Sequence, residues 1–424
     1  MTSHHALTVA VLALVLAASG SYAGRNSPLA SAEEIYNVRT LGARGNGKTN
    51  DTTAIRSVIK GAPDGAIIYF PPGNYRCHGL AIAYRERLIF RGAGPGSVIE
   101  APDAVRDPII LSLEQCRDIV FHDLTFDTRS TNVTALAVSN SETVRIRDCK
   151  FTAAAPQQGA GVYLRNTTNL WFTKNLLEKR HVEHQQLKRA RFSDNIFSGS
   201  SRFGIVMQAA ADGSCELLTI EDNIFDGMKT AAIGIWDPSN GNARIRDVKI
   251  RNNQIACPTV TAMPPISIGQ ARGKPSTESV WENITIAGNS VHFTGPAATS
   301  NVIAVGGART KSSYTGFVIR DNDVTGGGGK RSGILLQGLT NAMVSGNSVA
   351  DVGVGIVLDS GSKRCLVVDN QVSTISNTGY RLENSAGENI MVGNHCADKI
   401  PVPYDFDQKQ ANDRVEHTNL LRLR

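Results

Sequence analysis

Tyr163, Arg165, His181, Glu183, Arg202, Trp236 and Asp237 are the residues whose types and spacing could do chemistry together. Glu183 and Asp237 form a carboxylate pair of the kind that hydrolyses a glycosidic bond by general acid and base. Tyr163 or His181 as base, with Arg165 or Arg202 as cation, suits removal of a proton beside a uronate carboxylate. Trp236 offers a flat apolar ring for a sugar to stack on, with Gln185 and Gln208 as polar neighbours that bind substrate. Each has a plainer reading. Glu183 could be a surface ion partner of Arg165 and Arg202, His184 a core residue, and Trp236 a ring covered by a loop.

What could gather these residues is a repeat. Asn195, Asn223, Asn253, Asn289, Asn322, Asn347, Asn370 and Asn394 each follow a β-rich stretch, and the last four are 25, 23 and 24 residues apart. That is the period of a solenoid. Asparagine tolerates the left-handed backbone of a sharp turn, and stacked amides can exchange hydrogen bonds between coils. Aligning the repeats puts GVYLR, HVEHQ, GIVMQ, AIGIW, PISIG, GILLQ, GIVLD and GYRLE in register. Their second and fourth residues then point inward, as in Ile205/Met207 and Ile233/Ile235, and the third and fifth point outward. With coils about 4.8 Å apart, Glu183 and Asp237 would lie two coils, roughly 10 Å, apart. An inverting glycosidase uses about 6.5–9.5 Å.

The fold class expected is all-β, a single-stranded right-handed parallel β-helix with a short N-terminal capping helix. Forty Gly, 6% aromatic and 41% hydrophobic residues suit many turns around a narrow core. Residues 1–23 read as a signal peptide cut after Ala23, 24–35 as a linker, 36–77 as the cap and first strands, 78–400 as the β-helix and 401–424 as a tail. The chain is therefore expected to be secreted or periplasmic, with no membrane insertion. Seven cysteines leave at least one free thiol, and a net charge of +6 suits an anionic polymer without requiring one. No zinc spacing, P-loop or dinucleotide fingerprint is present, and His181-x-x-His184 falls on a strand, where its rings face opposite sides. Coils lengthen between Asn253 and Asn322, and residues 257–264, 270–278 and 306–314 could wall a groove, with Arg272, Lys274, Arg309 and Lys311 supplying charge.

The entry segment carries a further signal. Gly42, Ala43, Gly45, Gly47, Asp51, Thr52, Ala54 and Ile55 match G-A-x-G-x-G-x-x-x-D-T-x-A-I, and Tyr69-Phe70-Pro71-Pro72-Gly73-x-Tyr75 follows. Asn50 or Asp51 should cap a helix whose apolar stripe is Ala54, Ile55, Val58 and Ile59. This pattern resembles the N-terminal signature of the pectate-lyase-like superfamily of rhamnogalacturonase or epimerase-like right-handed parallel β-helices, with Asn46 and Asn50 where the family usually has Asp. The resemblance implies the fold, while members include lyases, hydrolases, epimerases and adhesive proteins. Calcium is common in the lyase branch. No aspartate cluster lies on the aligned strand, so no cofactor is required and calcium stays open as a ligand. The expected partner is a polysaccharide substrate, with no nucleic acid. Cations outnumber carboxylates in the patch, which ranks β-elimination of an acidic polysaccharide above inverting hydrolysis, and both above glycan binding without cleavage.

Overall fold

The computed structural model describes residues 34–415, apart from 103–108, 130–131, 156–158, 200–202, 209–213, 237–241, 258–262, 270–277, 294–299, 308–310, 327, 329, 385–386, 398 and 407–411. From Ile35 onward the chain is a right-handed parallel β-helix. Each coil passes through three short strands, for example Ile233–Trp236, Arg244–Arg251 and Gln254–Cys257, which we call its first, second and third faces. Every strand pairs in parallel with its counterpart one coil away, as Ile233–Trp236 does with Ile205–Gln208 and Ile266–Gly269. Among the described residues, first- and second-face strands join in one 28-stranded sheet and third-face strands in a 14-stranded sheet. In Val162–Thr173 and Val182–Ser193 the first two faces share one unbroken 12-residue strand, creased by left-handed residues such as Asn166 and Asn169. Strand pairing reaches past 78–400 at both ends, to Ile35–Asn37 and to Val402–Phe406.

The asparagines are a buried hydrogen-bonded ladder. Asn195, Asn223 and Asn253 are fully buried, and each amide nitrogen donates to the next amide oxygen, at 2.9 Å for Asn223 to Asn253 and for Asn253 to Asn289. The same oxygens accept the preceding backbone N–H, at 3.1 Å for Asn223 N to Asn253. The ladder begins one coil earlier than the repeat suggested, at Asn175. The left-handed backbone expected of these asparagines belongs instead to the residue before each, including Asp194, Asp222, Asn252, Gly288, Asp321 and Gly346. The reason is division of labour: the turn's positive φ swings the following side chain inward, where a primary amide can both donate and accept along the stack.

The entry motif folds as one cluster. Helix α1 (Thr52–Gly61) buries Ile55, Val58 and Ile59 against the open end of the stack. Asp51 sits at its N-cap position, but its carboxylate turns away and accepts the N–H groups of Arg44 and Gly45 at 2.7 and 2.9 Å. The Asn50 amide oxygen takes the Thr52 N–H at 3.0 Å. Gly45 is required by contact as well as by its φ of 59°, since a Cβ there would fall 2.6 Å from the Tyr75 ring.

The core is a column of Val, Ile, Leu and stacked phenylalanines, such as Phe197 on Phe225 at 4.7 Å. His184 interrupts it between Leu164 and Met207. It is fully buried and stacked on Phe192, and neither ring nitrogen has a hydrogen-bond partner. Burial lowers its pKa from 6.5 to about 3. Above pH 6.5 folded and unfolded chains both hold this ring neutral. Below it the unfolded chain takes up a proton the folded chain refuses, so stability falls by about 1.4 kcal/mol per pH unit until about pH 3. Removing the two buried, unpartnered ring nitrogens in His184→Met should raise stability at pH 7 by about 1–2 kcal/mol, and loss of the titrating group should flatten the acid slope in urea titrations run from pH 7 to pH 4.

Candidate functional site

Outward residues of the first face stack in two columns. One runs Ala137, Tyr163, Glu183, Val206, Gly234 and Ser267, and the other carries Ser139, Arg165 and Gln185, then Gln208, Trp236 and Gly269. Strand alternation thus puts Glu183 and Trp236 on the same side of the solenoid, as the aligned repeats require.

Four side chains form the open part. Tyr163 pairs in register with Glu183, and Arg165 with Gln185, so a phenol, a guanidinium, a carboxylate and an amide occupy a block one coil high, about 4.8 Å. Arg165 is exposed, and the others are half-buried. Burial, and then the Glu183 charge, push the Tyr163 phenol above its ordinary value, against the pull of Arg165. The phenol therefore keeps its proton at neutral pH and is placed to donate it.

Two expected members differ. His181 does not face solvent: it is fully buried at the strand entrance, 6.1 Å edge-on to Phe203, with Nε2 3.9 Å from the Glu183 carboxylate. It lies 3.9 Å behind the Glu183 carboxylate but, being buried, cannot reach a polymer as a base. Trp236 is not an open platform, being only 5% exposed. Its ring packs edge-on to Phe203 at 5.2 Å, and its Nε1 donates to the Ser267 hydroxyl at 3.0 Å. The physical cause is Gly234, where a Cβ would come within 2.4 Å of the indole. A side chain at this outward position folds sideways into the space the glycine leaves, forming a satellite apolar cluster with Val206, Ala231 and Met263.

Arg202 and Asp237 lie outside the described residues, as do Arg272, Lys274 and Arg309, and nothing beyond the strand pairing of Gln208 is described. Lys311 is ion-paired to Glu278 at 3.5 Å. Among the described residues no group of three or more His, Cys, Asp or Glu side chains could hold a metal ion, and no cysteine is in a disulfide. No described helix is long and apolar enough to cross a membrane.

The first face also holds a feature that the repeats did not point to. A cavity of about 490 Å³ lies between α1 and strand Leu80–Ala83, with Arg56, Lys60 and Arg85 at its wall and the small Ala81 and Ala83 at its floor. Ala81 is linked through Ser112 and Ala137 to Tyr163, three coil steps or about 14 Å along the axis. Arg85 is tied to Asp64 at 2.8 Å and to the carbonyl of Ile59 at 2.9 Å, whereas Lys60 is exposed. The signal for it was present in α1, whose polar stripe carries Arg56 and Lys60 opposite its buried one.

The family model described as "Rhamnogalacturonase A/epimerase, pectate lyase-like" matches residues 35–269, and one described as "Periplasmic copper-binding protein (NosD)" matches residues 276–410. Alginate lyase 7 of Azotobacter vinelandii is 34% identical over 111 residues, 23% of this chain and 13% of that protein, so the chain spans about an eighth of the relative's length. The surface adhesin PfbA of Streptococcus pneumoniae superposes with a TM-score of 0.63 at 16% identity, covering 82% of this chain and 91% of that one. The A-module of the mannuronan C-5 epimerase AlgE6 from Azotobacter vinelandii superposes at 0.56 with 18% identity, covering 90% and 98%. At these identities the structural likeness is one of fold. The first family model spans more than half of the chain, which therefore belongs to the rhamnogalacturonase A/epimerase, pectate lyase-like family of carbohydrate-active β-helix proteins.

Proposed function

We propose that this protein is an exported enzyme that cleaves an acidic polysaccharide by β-elimination on its first face. The observation that carries the reading is the register pairing of Tyr163 with Glu183 beside Arg165. In the reaction a base removes the proton from the sugar carbon beside the carboxylate. Those electrons form a double bond to the neighbouring carbon as the glycosidic oxygen leaves, taking up a proton. Arg165 holds the carboxylate and offsets the negative charge that builds on it. Glu183 is the base, with the buried His181 ring 3.9 Å behind it. Tyr163, still protonated, gives its proton to the leaving glycosidic oxygen. Acid and base stand on adjacent coils of one face, which suits removal of both groups from the same side of the ring.

The family and the named relatives support a uronate substrate, because lyase and epimerase chemistry both begin with removal of this proton. Inverting hydrolysis by Glu183 and Asp237 is the alternative. The full chain incubated with polygalacturonate or alginate should yield products absorbing as unsaturated uronates. New reducing ends without that absorbance would replace elimination by hydrolysis, and unchanged polymer length would favour a glycan-binding protein, a reading to which the burial of His181 and Trp236 lends weight. Export is checked separately. N-terminal sequencing of protein from the culture fluid or periplasm should begin at Gly24, and an intact Met1 would contradict the cleavage site read from the sequence.

A further inference from the structure

The second face carries a tryptophan that the proposed reaction does not use. Trp171 is 39% exposed, whereas Trp236 and Trp281 are buried. Alternation explains its position: Leu170 and Phe172 point into the core, so the residue between them must face out. The Arg145 guanidinium, held by Asp118 at 2.6 Å, lies over the ring at 5.0 Å. In register below Trp171 come Arg191, Thr219 and Lys249, one per coil. This row runs into a cavity of about 400 Å³ lined by Thr219, Lys249 and Thr285, with Asp247 and Asn283 on its rim.

Charge on this face is unevenly matched. Glu221, nearly buried, is shared by Arg191 and Arg251 at 2.6 and 2.5 Å. Glu216 is shared by Lys188 and Arg246 at 3.6 and 3.0 Å. Glu221 and Glu216 thus each serve two cations from neighbouring coils; Glu282, in register with Arg246, offsets part of this charge, and Lys249 stands exposed in the column of Trp171. Asp247 opposes this locally, but its Oδ1 accepts the Asn283 amide at 3.2 Å.

From this arrangement we infer that the second face is a separate binding surface for an acidic polysaccharide, which it holds without cutting. A sugar ring stacks beside Arg145 on the open part of Trp171. The chain then runs along the coil axis, over hydroxyl and cationic side chains repeating about every 4.8 Å, and places an anionic group at Lys249. A flat aromatic with flanking hydroxyls selects a sugar chain over other polyanions, while the exposed Lys249 charge selects an acidic one. The surface is on a different face from Tyr163 and Glu183, so it would hold the enzyme on its polymer between cleavage events.

Affinity electrophoresis of the full chain tests this, with polygalacturonate in the gel and neutral galactan and duplex DNA as controls. Polygalacturonate should retard the wild type, and galactan and DNA should not. Trp171→Ala and Lys249→Ala are surface changes that leave the core intact, and each should weaken retardation by roughly tenfold. Glu183→Gln should be retarded like the wild type, which separates this surface from the proposed catalytic face. Retardation of both second-face variants at the wild-type level, loss of retardation in Glu183→Gln alone, or DNA acting as strongly as polygalacturonate would each overturn the inference.

Discussion

Glu183→Gln should lower turnover of a polyuronate about a thousandfold while leaving the fold and substrate affinity nearly unchanged. The amide has the size and polarity of the carboxylate and the neighbouring outward residue of the same strand is already glutamine, Gln185. What it lacks is the ability to accept a proton from carbon. A loss confined to kcat marks an interaction made only in the transition state. Arg165→Ala should differ in kind, raising KM as well as lowering kcat, because Arg165 touches the substrate carboxylate before and during reaction. Tyr163→Phe should resemble Glu183→Gln, since it removes only the acid. If Glu183→Gln cleaves at the wild-type rate, neither the elimination nor the hydrolysis described above can be correct, because both assign it the proton or the carboxylate.

Asn253→Ala is expected to destabilise the protein by about 4 kcal/mol, a large fraction of what holds an ordinary domain together. The Asn253 amide nitrogen donates to the Ile220 carbonyl and the Asn289 oxygen, and its oxygen accepts the backbone and side-chain N–H groups of Asn223. Alanine leaves these partners buried with nothing to replace a primary amide, at about 1–3 kcal/mol for each group left unsatisfied. Because coils contact only their neighbours, a break in mid-ladder should also split the urea transition and lower its slope. The same change at Asn394, the last rung among the described residues, should cost less and leave one transition. Lys249→Ala, on the outside of the coil that Asn253 closes, serves as the control and should stay within about 0.5 kcal/mol of wild type.

The repeat of asparagines and the alternation of the aligned strands were enough to read the solenoid, its inward column and the shared side of Tyr163, Glu183 and Trp236. Both are local properties of backbone geometry. Period-two alternation says which side of a strand a residue leaves from, but not what later folds across it, and this is why Trp236 looked like an open platform. Its burial depends on Gly234 beside it and on Phe203 and Met263 from neighbouring coils, none of which alters the strand pattern. His181 was misplaced for a related reason: it stands where the strand begins, and there the turn rather than alternation decides direction. The asparagine reading was right in its hydrogen bonds and one residue off in its backbone, because Asn and Asp are both suited to left-handed turns and stand side by side in motifs such as FSDNIF. Trp171 was legible in principle, lying between two core residues. It lies on a different face from the titratable cluster, so the chemistry of that cluster does not point to it.

The most direct test is a crystal structure of Glu183→Gln soaked with a uronate oligosaccharide. It should show a sugar on the first face with its carboxylate on Arg165 and the bond to be cut over Tyr163 and residue 183. An oligosaccharide bound only elsewhere, while the wild type still cleaves it, would contradict the placement of the reaction on this face.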